Sequence, residues 1–189
     1  MIQIFGHFSD EPINSEEYLI LGFSPSSIPL RQRWRNNGLS ADFLADYMTT
    51  FFPTRNAGND LNQQVEIKGA VSYIANELLE NAMKFTDPDV PCPISIQLQL
   101  HSDLIVFCVK NSVSPQTVKT FQAFLQKLTS CDPQELYIEQ LEHNASDENG
   151  TSSGLGILTM VNDYATKVGW KFESHKEMTT VTTMVQFIV

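Results

Sequence analysis

The chain has 189 residues, 42% of them hydrophobic, and a formal net charge of −10, enough for one packed domain with or without an extension. The acidic balance weighs against nucleic acid as a partner, and no run of about 18 apolar residues marks a membrane span. Cys92, Cys108 and Cys131 lack C-x-x-C spacing and the start Met1-Ile2-Gln3-Ile4 lacks a signal peptide's basic region, so a reduced, cytoplasmic setting is expected and a zinc site is not.

In chain order, Ile2–Phe8 and Tyr18–Phe23 read as short strands extending a sheet. Arg31, Arg33 and Arg35 around Trp34 form the one basic cluster, either a solvated helix face or a dock for an acidic partner. Ser40 reads as the N-cap of an amphipathic helix carrying Phe43, Leu44, Tyr47, Met48, Phe51 and Phe52 and ended by Pro53. Its aromatic stripe reads as core. Residues 1–60 are thus expected to be an N-terminal extension packed on a domain spanning 61–189.

The next helical pattern places Ile67, Val71, Ile74, Leu78, Ala82 and Phe85 on one stripe, roughly 80° wide at 100° per residue. Glu77, Asn81 and Lys84 fall on an adjoining strip about 60° wide. A carboxylate, an amide and an amine stacked beside a buried seam can hold Mg²⁺ and a triphosphate. A solvated helix flank shows the same spacing, so a second motif has to decide between the two.

Ile94, Ile96, Leu98 and Leu100 alternate with polar residues, as in a half-buried antiparallel strand. After the turn His101-Ser102-Asp103, Leu104–Val109 is an unbroken apolar strand running into Lys110-Asn111-Ser112-Val113-Ser114-Pro115. Val118, Phe121, Leu125 and Leu128 follow helical spacing, and Asp132-Pro133 reads as an N-cap and first-turn proline. A polar run from His143 to Ser153 then leads into Gly150-Thr151-Ser152-Ser153-Gly154-Leu155-Gly156, opening a helical pattern through Leu155, Leu158, Val161 and Ala165. Glycines and hydroxyls at a helix start leave backbone N–H groups at the positive end of its dipole, a ready phosphate site. Two strands close the chain, near Trp170–Ser174 and Val181–Val189.

Together, Glu77-Leu78-Leu79-Glu80-Asn81-Ala82-Met83-Lys84-Phe85 and Ser152–Gly156 resemble the N box and second glycine box of the GHKL ATPases, the superfamily of gyrase, Hsp90, histidine kinases and MutL. The resemblance implies an α+β fold of the Bergerat type: a two-layer α/β sandwich, its sheet mixed but mostly antiparallel, with helices on one face. It implies ATP or ADP with Mg²⁺ as cofactors. Glu77 would be the catalytic residue, orienting or deprotonating the attacking nucleophile, Asn81 the Mg²⁺ ligand and Lys84 a phosphate contact. Thr151, Ser152, Ser153, Gly154, Leu155 and Gly156 would wrap the phosphates, with 143–153 as the ATP lid. The first glycine box, D-x-G-x-G, is altered: Asn111 stands where the adenine-binding Asp belongs, and Val113 and Pro115 replace the glycines.

The strand ending in V-x-N is similar to the SiaB-like subgroup of the anti-sigma-factor serine/threonine kinase branch. That resemblance implies transfer of the ATP γ-phosphoryl to Ser or Thr of a small anti-sigma-factor-antagonist-like protein. His7, His101, His143 and His175 lie outside the H-E and H-x-x-P contexts of a sensor histidine kinase. The alternative is a non-catalytic partner-switching module with weak or no nucleotide binding, and homodimer formation is left open.

Overall fold

The protein's structure is a computed structural model that describes residues 1–10, 17–24, 30–51, 59–146, 154–175 and 178–189, with backbone alone at 30–35 and 59–61. The elements in order are β1 (Ile2–Gly6), β2 (Glu17–Phe23), α1 (Leu30–Thr49), α2 (Asn59–Phe85), β3 (Ile94–Leu100), β4 (Leu104–Val113), α3 (Pro115–Ser130), α4 (Pro133–Ser146), α5 (Leu155–Asn162), β5 (Lys167–His175) and β6 (Met178–Ile188). The fold is α+β. Six strands form one sheet in the order β1-β5-β6-β4-β3-β2. Every pairing is antiparallel, where a mixed sheet was expected. Among the described residues no helix is long and apolar enough to cross a membrane.

Period-two alternation sends one side of each strand toward the helices. Ile94, Ile96 and Leu98 of β3, Ile105, Phe107 and Val109 of β4, Val181 and Val185 of β6 and Val168, Trp170 and Phe172 of β5 are buried there. α2 crosses this face over β3 and β4, while α3 lies against β1. Phe121 of α3 meets Trp170 and Phe172 edge-on, with ring centroids 6.2 and 5.8 Å away. A cleft therefore runs between α2 and α3, floored by β4 and β6. That cleft is what the fold positions.

The N-terminal strands join opposite edges of the sheet, so the described residues before 60 share one core with the rest. β1 ends at Gly6 rather than Phe8 because Gly6 has φ +63° and any Cβ there would overlap the Val168 carbonyl. α1 begins ten residues before Ser40, which is interior to the helix and not its cap. Packing against α2 overrides the local cap signal. Ala41, Leu44, Ala45 and Met48 are buried there, Ser72 Oγ donates to Asp42 at 2.9 Å and Lys68 pairs with Asp46. The expected aromatic core stripe is divided: Leu44 and Met48 are buried, Tyr47 and Phe51 pack partly, and Phe43 is 52% exposed. Phe52 and Pro53 lie outside the described residues.

Other boundaries move for local reasons. Asp132 caps α4 as expected, its Oδ1 accepting from Gln134 N at 2.8 Å and Glu135 N at 3.2 Å. α4 continues through Ser146, so the first four residues of the polar run 143–153 are helical. α5 stops at Asn162, and Ala165, expected on its buried stripe, is exposed with φ +50°. Cys108 is largely buried in β4, and burial pushes its thiol up to about 11, which makes it a poor nucleophile.

The divided stripe has a direct test. Leu44→Ala should cost about 2–5 kcal/mol of stability, the range for truncating a fully buried leucine. Phe43→Ala, one residue away, should cost under about 1 kcal/mol. Urea unfolding midpoints of the two variants decide it; equal losses would contradict the assignment.

Candidate functional site

α2 presents its polar strip to the cleft. Val71, Ile74, Leu78 and Ala82 are buried against the sheet, which holds the half-buried Glu77 and Asn81 and the exposed Lys84 along the cleft edge. Phe85, expected on the buried stripe, is the last residue of α2 and is 44% exposed. Lys84 Nζ sits 5.3 Å from its ring centroid. Two adjoining cavities fill the cleft. The inner one, about 50 Å³, lies over β4 and β6 and is lined by Ala82, Asn111, Val113 and Thr183 among others. The outer one, about 210 Å³, is lined by Glu77, Lys84, Thr117, Gln140, Gly154 and Gly156 among others. Asn81, Phe85, Phe121 and Ile157 line both.

Asn111 forms part of the inner floor and is 4% exposed. Its Nδ2 donates to the Ser112 carbonyl at 2.9 Å, so the other end of the amide, Oδ1, is the acceptor. The altered glycine positions have other structural work. β4 continues through Val113, with Asn111, Ser112 and Val113 paired to Val181, Thr180 and Thr179. Ser114 then caps α3 at once, accepting from Thr117 N at 3.2 Å, with Pro115 in the first turn. Strand passes to helix with no glycine loop between them.

Across the outer cavity, Gly154 starts α5 with φ +54° and lies against the Gln140 side chain. A Cβ at Gly156 would overlap the Glu77 carboxylate. A side chain at 156 would make the carboxylate move aside, so glycine lets it rest on the first turn of α5. Burial raises the Glu77 pKa above the ordinary carboxylate value, and the neighbouring charge of Glu80 adds to the rise. One turn back on α2, Tyr73 stacks on Tyr164 with centroids 5.2 Å apart. The phenol of Tyr73 is raised by burial, and the Thr159 hydroxyl of α5 opposes that rise by hydrogen bonding. This aromatic pair ties α2 to the bend that follows α5, one turn of α2 from Glu77.

Of the residues singled out from sequence, Glu77, Asn81, Lys84, Asn111, Gly154 and Gly156 come together around these cavities. Leu155 is the first residue of α5 and lines neither cavity. Thr151, Ser152 and Ser153 lie outside the described residues, as do 147–150 of the expected lid. Sequence reading missed Phe121, Thr117, Gln140 and Tyr73. Tyr73 had a usable signal, four residues before Glu77 on the same strip; Phe121 read only as one member of a core-facing stripe.

A chain in the crystal structure of the SiaB–SiaC complex from Pseudomonas aeruginosa is similar in fold, with a TM-score of 0.57 at 13% sequence identity. The match covers 90% of this chain and 89% of that one. No family model matches the sequence, and no curated protein does.

The Asn111 geometry makes a prediction that runs against simple motif repair. Asn111→Asp would install the expected adenine-binding carboxylate but lose the donor to Ser112 O and set a buried negative charge beside that carbonyl. Thermal unfolding should show a loss of about 1–3 kcal/mol. A variant as stable as the parent would contradict the assigned amide orientation.

Proposed function

We propose that the α2–α3 cleft binds an adenine nucleotide with Mg²⁺ and that the protein is a GHKL-type kinase acting on Ser or Thr of a small partner protein. The observation that carries this reading is the convergence of Glu77, Asn81, Lys84, Asn111 and the start of α5 on two adjoining cavities. The Asn111 carbonyl would accept from the adenine amino group, as a neutral acceptor weaker than a carboxylate. The α5 N-terminus and Lys84 would meet phosphate. The residues fit a magnesium ion of the kind held mainly by phosphates: Asn81 offers one amide oxygen at the junction of the cavities, and hard oxygen donors suit the ion. When bound, Mg²⁺ supplies neutralisation of phosphate charge.

Glu77 then has the chemistry of a general base. Its raised pKa makes it a stronger proton acceptor once ionised, and its place against α5 sets it beside the phosphate end of the cleft. A protein partner is suggested by the similar fold of a chain from a two-protein complex.

A second reading, a partner-binding module without phosphoryl transfer, is favoured by one feature. The outer cavity, at about 210 Å³, is smaller than the roughly 300–1,000 Å³ of ordinary ligand sites, and Phe85, Phe121, Phe124 and Ile157 are among its lining.

Paired variants separate these readings. Glu77→Ala should abolish transfer from labelled ATP to the partner while nucleotide binding stays near the parental value. Asn81→Ala should weaken Mg²⁺-dependent binding itself. Because the Glu77 pKa is raised and the base must be ionised, the acid limb of the rate profile should lie above the ordinary Glu value of about 4.3. Equal loss of binding in both variants, or an acid limb at or below that value, would contradict the roles.

A further inference from the structure

β1 lies at one edge of the sheet, and among the described residues it pairs with β5 alone. Residues 1–10 are all described, so this edge can be followed group by group. Met1 N donates to the Ser174 carbonyl, Ser174 N to the Met1 carbonyl and His7 N to the Val168 carbonyl, each at 2.9 Å. Hydrogen-bonded pairs alternate along an antiparallel ladder, so Met1, Gln3, Phe5 and His7 turn their backbone groups to β5. Ile2, Ile4 and Gly6 turn theirs outward, along the open edge. Side chains alternate too. Gln3 and Phe5 share the helix face with Phe172 and Trp170, while Ile2 and Ile4 lie on the other face, 60% and 49% exposed.

The strand has no charged side chain, proline or bulge to block pairing. Its free groups are self-complementary. About a two-fold axis at Ile4, Ile4 faces Ile4 of a second copy and Ile2 faces Gly6, so every outward N–H meets an outward carbonyl. Gly6, without a side chain, leaves room for Ile2. Charge selects the same occupant. Residues 1–8 and 114–131, which include β1 and the helix α3 beside it, hold none of the chain's 22 acidic residues. The carboxylates of Asp10 and Glu173, on the open side of this edge, are paired with Lys171 and Lys110. Two copies of net charge −10 therefore meet here without setting free carboxylates against each other. A basic partner finds no carboxylate on the strand and an acidic one no lysine. A second copy needs neither.

We propose that two copies of this chain pair antiparallel through β1, about a two-fold axis at Ile4, and join their sheets into one. The strand contributes no residue to either cavity of the α2–α3 cleft, so the proposal stands without nucleotide binding.

The test uses the full chain without an N-terminal tag, ¹⁵N-labelled and free of nucleotide, in sedimentation and amide exchange over a range of concentrations. A reversible dimer is expected, with protection that alternates along β1. The Gln3, Phe5 and His7 amides should exchange slowly at every concentration, and those of Ile2, Ile4 and Gly6 only as dimer forms. Ile4→Pro removes the outward N–H at the axis and leaves the β1–β5 ladder whole. Ile4→Lys sets like charges opposite each other there. Each should weaken the dimer by about tenfold or more, while Gln3 and Phe5 stay protected because β1 is still folded. Ile20→Lys, at an exposed position of the other edge strand, β2, should leave the dimer unchanged. A chain that stays monomeric at millimolar concentration overturns the proposal. So does a dimer in which the Ile2, Ile4 and Gly6 amides exchange as in the monomer, or one that Ile20→Lys breaks and Ile4→Lys does not.

Discussion

The carbonyl of Ser112 is where the helical layer and the sheet are fastened together. It accepts from the Asp87 N–H at 3.2 Å, just beyond the end of α2, and from the Asn111 amide at 2.9 Å. One buried oxygen thus fixes the C-terminal end of the helix carrying Asn81 and Lys84 and also orients the side chain facing the inner cavity. Both of its lone pairs are used, and a buried acceptor that loses a partner costs about 1–3 kcal/mol. The Asp87–Ser112 bond thus ties the chain just past α2 to β4 through backbone alone.

The opposite wall is set by close approach. Gly156 lets the Glu77 carboxylate rest on the first turn of α5, and Tyr73 of α2 stacks on Tyr164, just past the end of that helix. The positive end of a helix dipole offsets part of the cost of half-burying a carboxylate. Desolvation and Glu80 still dominate, because the Glu77 pKa moves up and not down. The same position that suits an acid–base group also suits phosphate, so the start of α5 is a polar hub in a cleft otherwise walled by Phe85, Phe121, Phe124 and Ile157.

Much of this was legible because two periodicities are strong. Ile67 through Ala82 at helical spacing fixed the buried side of α2 and, by geometry, the strip beside it. Alternation in Ile94–Leu100 and the Asp132-Pro133 pair read correctly as strand and helix start. What was hidden depended on partners distant in sequence. Ser40 looked like a cap, but packing on α2 carries α1 straight through it. Asn111–Val113 looked like the remnant of a glycine loop, yet pairing with Thr179–Val181 extends β4 to Val113. Phe121 became a cavity wall through its edge contacts with Trp170 and Phe172, which no local pattern encodes. Asn37 is a further case: it is buried in α1 with no partner for either amide atom among the described residues, and no sequence signal marks it.

The central claim is that the α2–α3 cleft takes an adenine nucleotide, with the base over Asn111 and beside Phe121. Calorimetric titration with Mg·ATP, followed by nuclear Overhauser measurements from the adenine protons on the same sample, tests it most directly. The account predicts a dissociation constant of tens of micromolar or weaker, roughly −6 kcal/mol, and contacts from the adenine protons to Phe121, Ala82 and Val113. No heat at millimolar nucleotide, or adenine contacts only to residues outside the cleft, would contradict it.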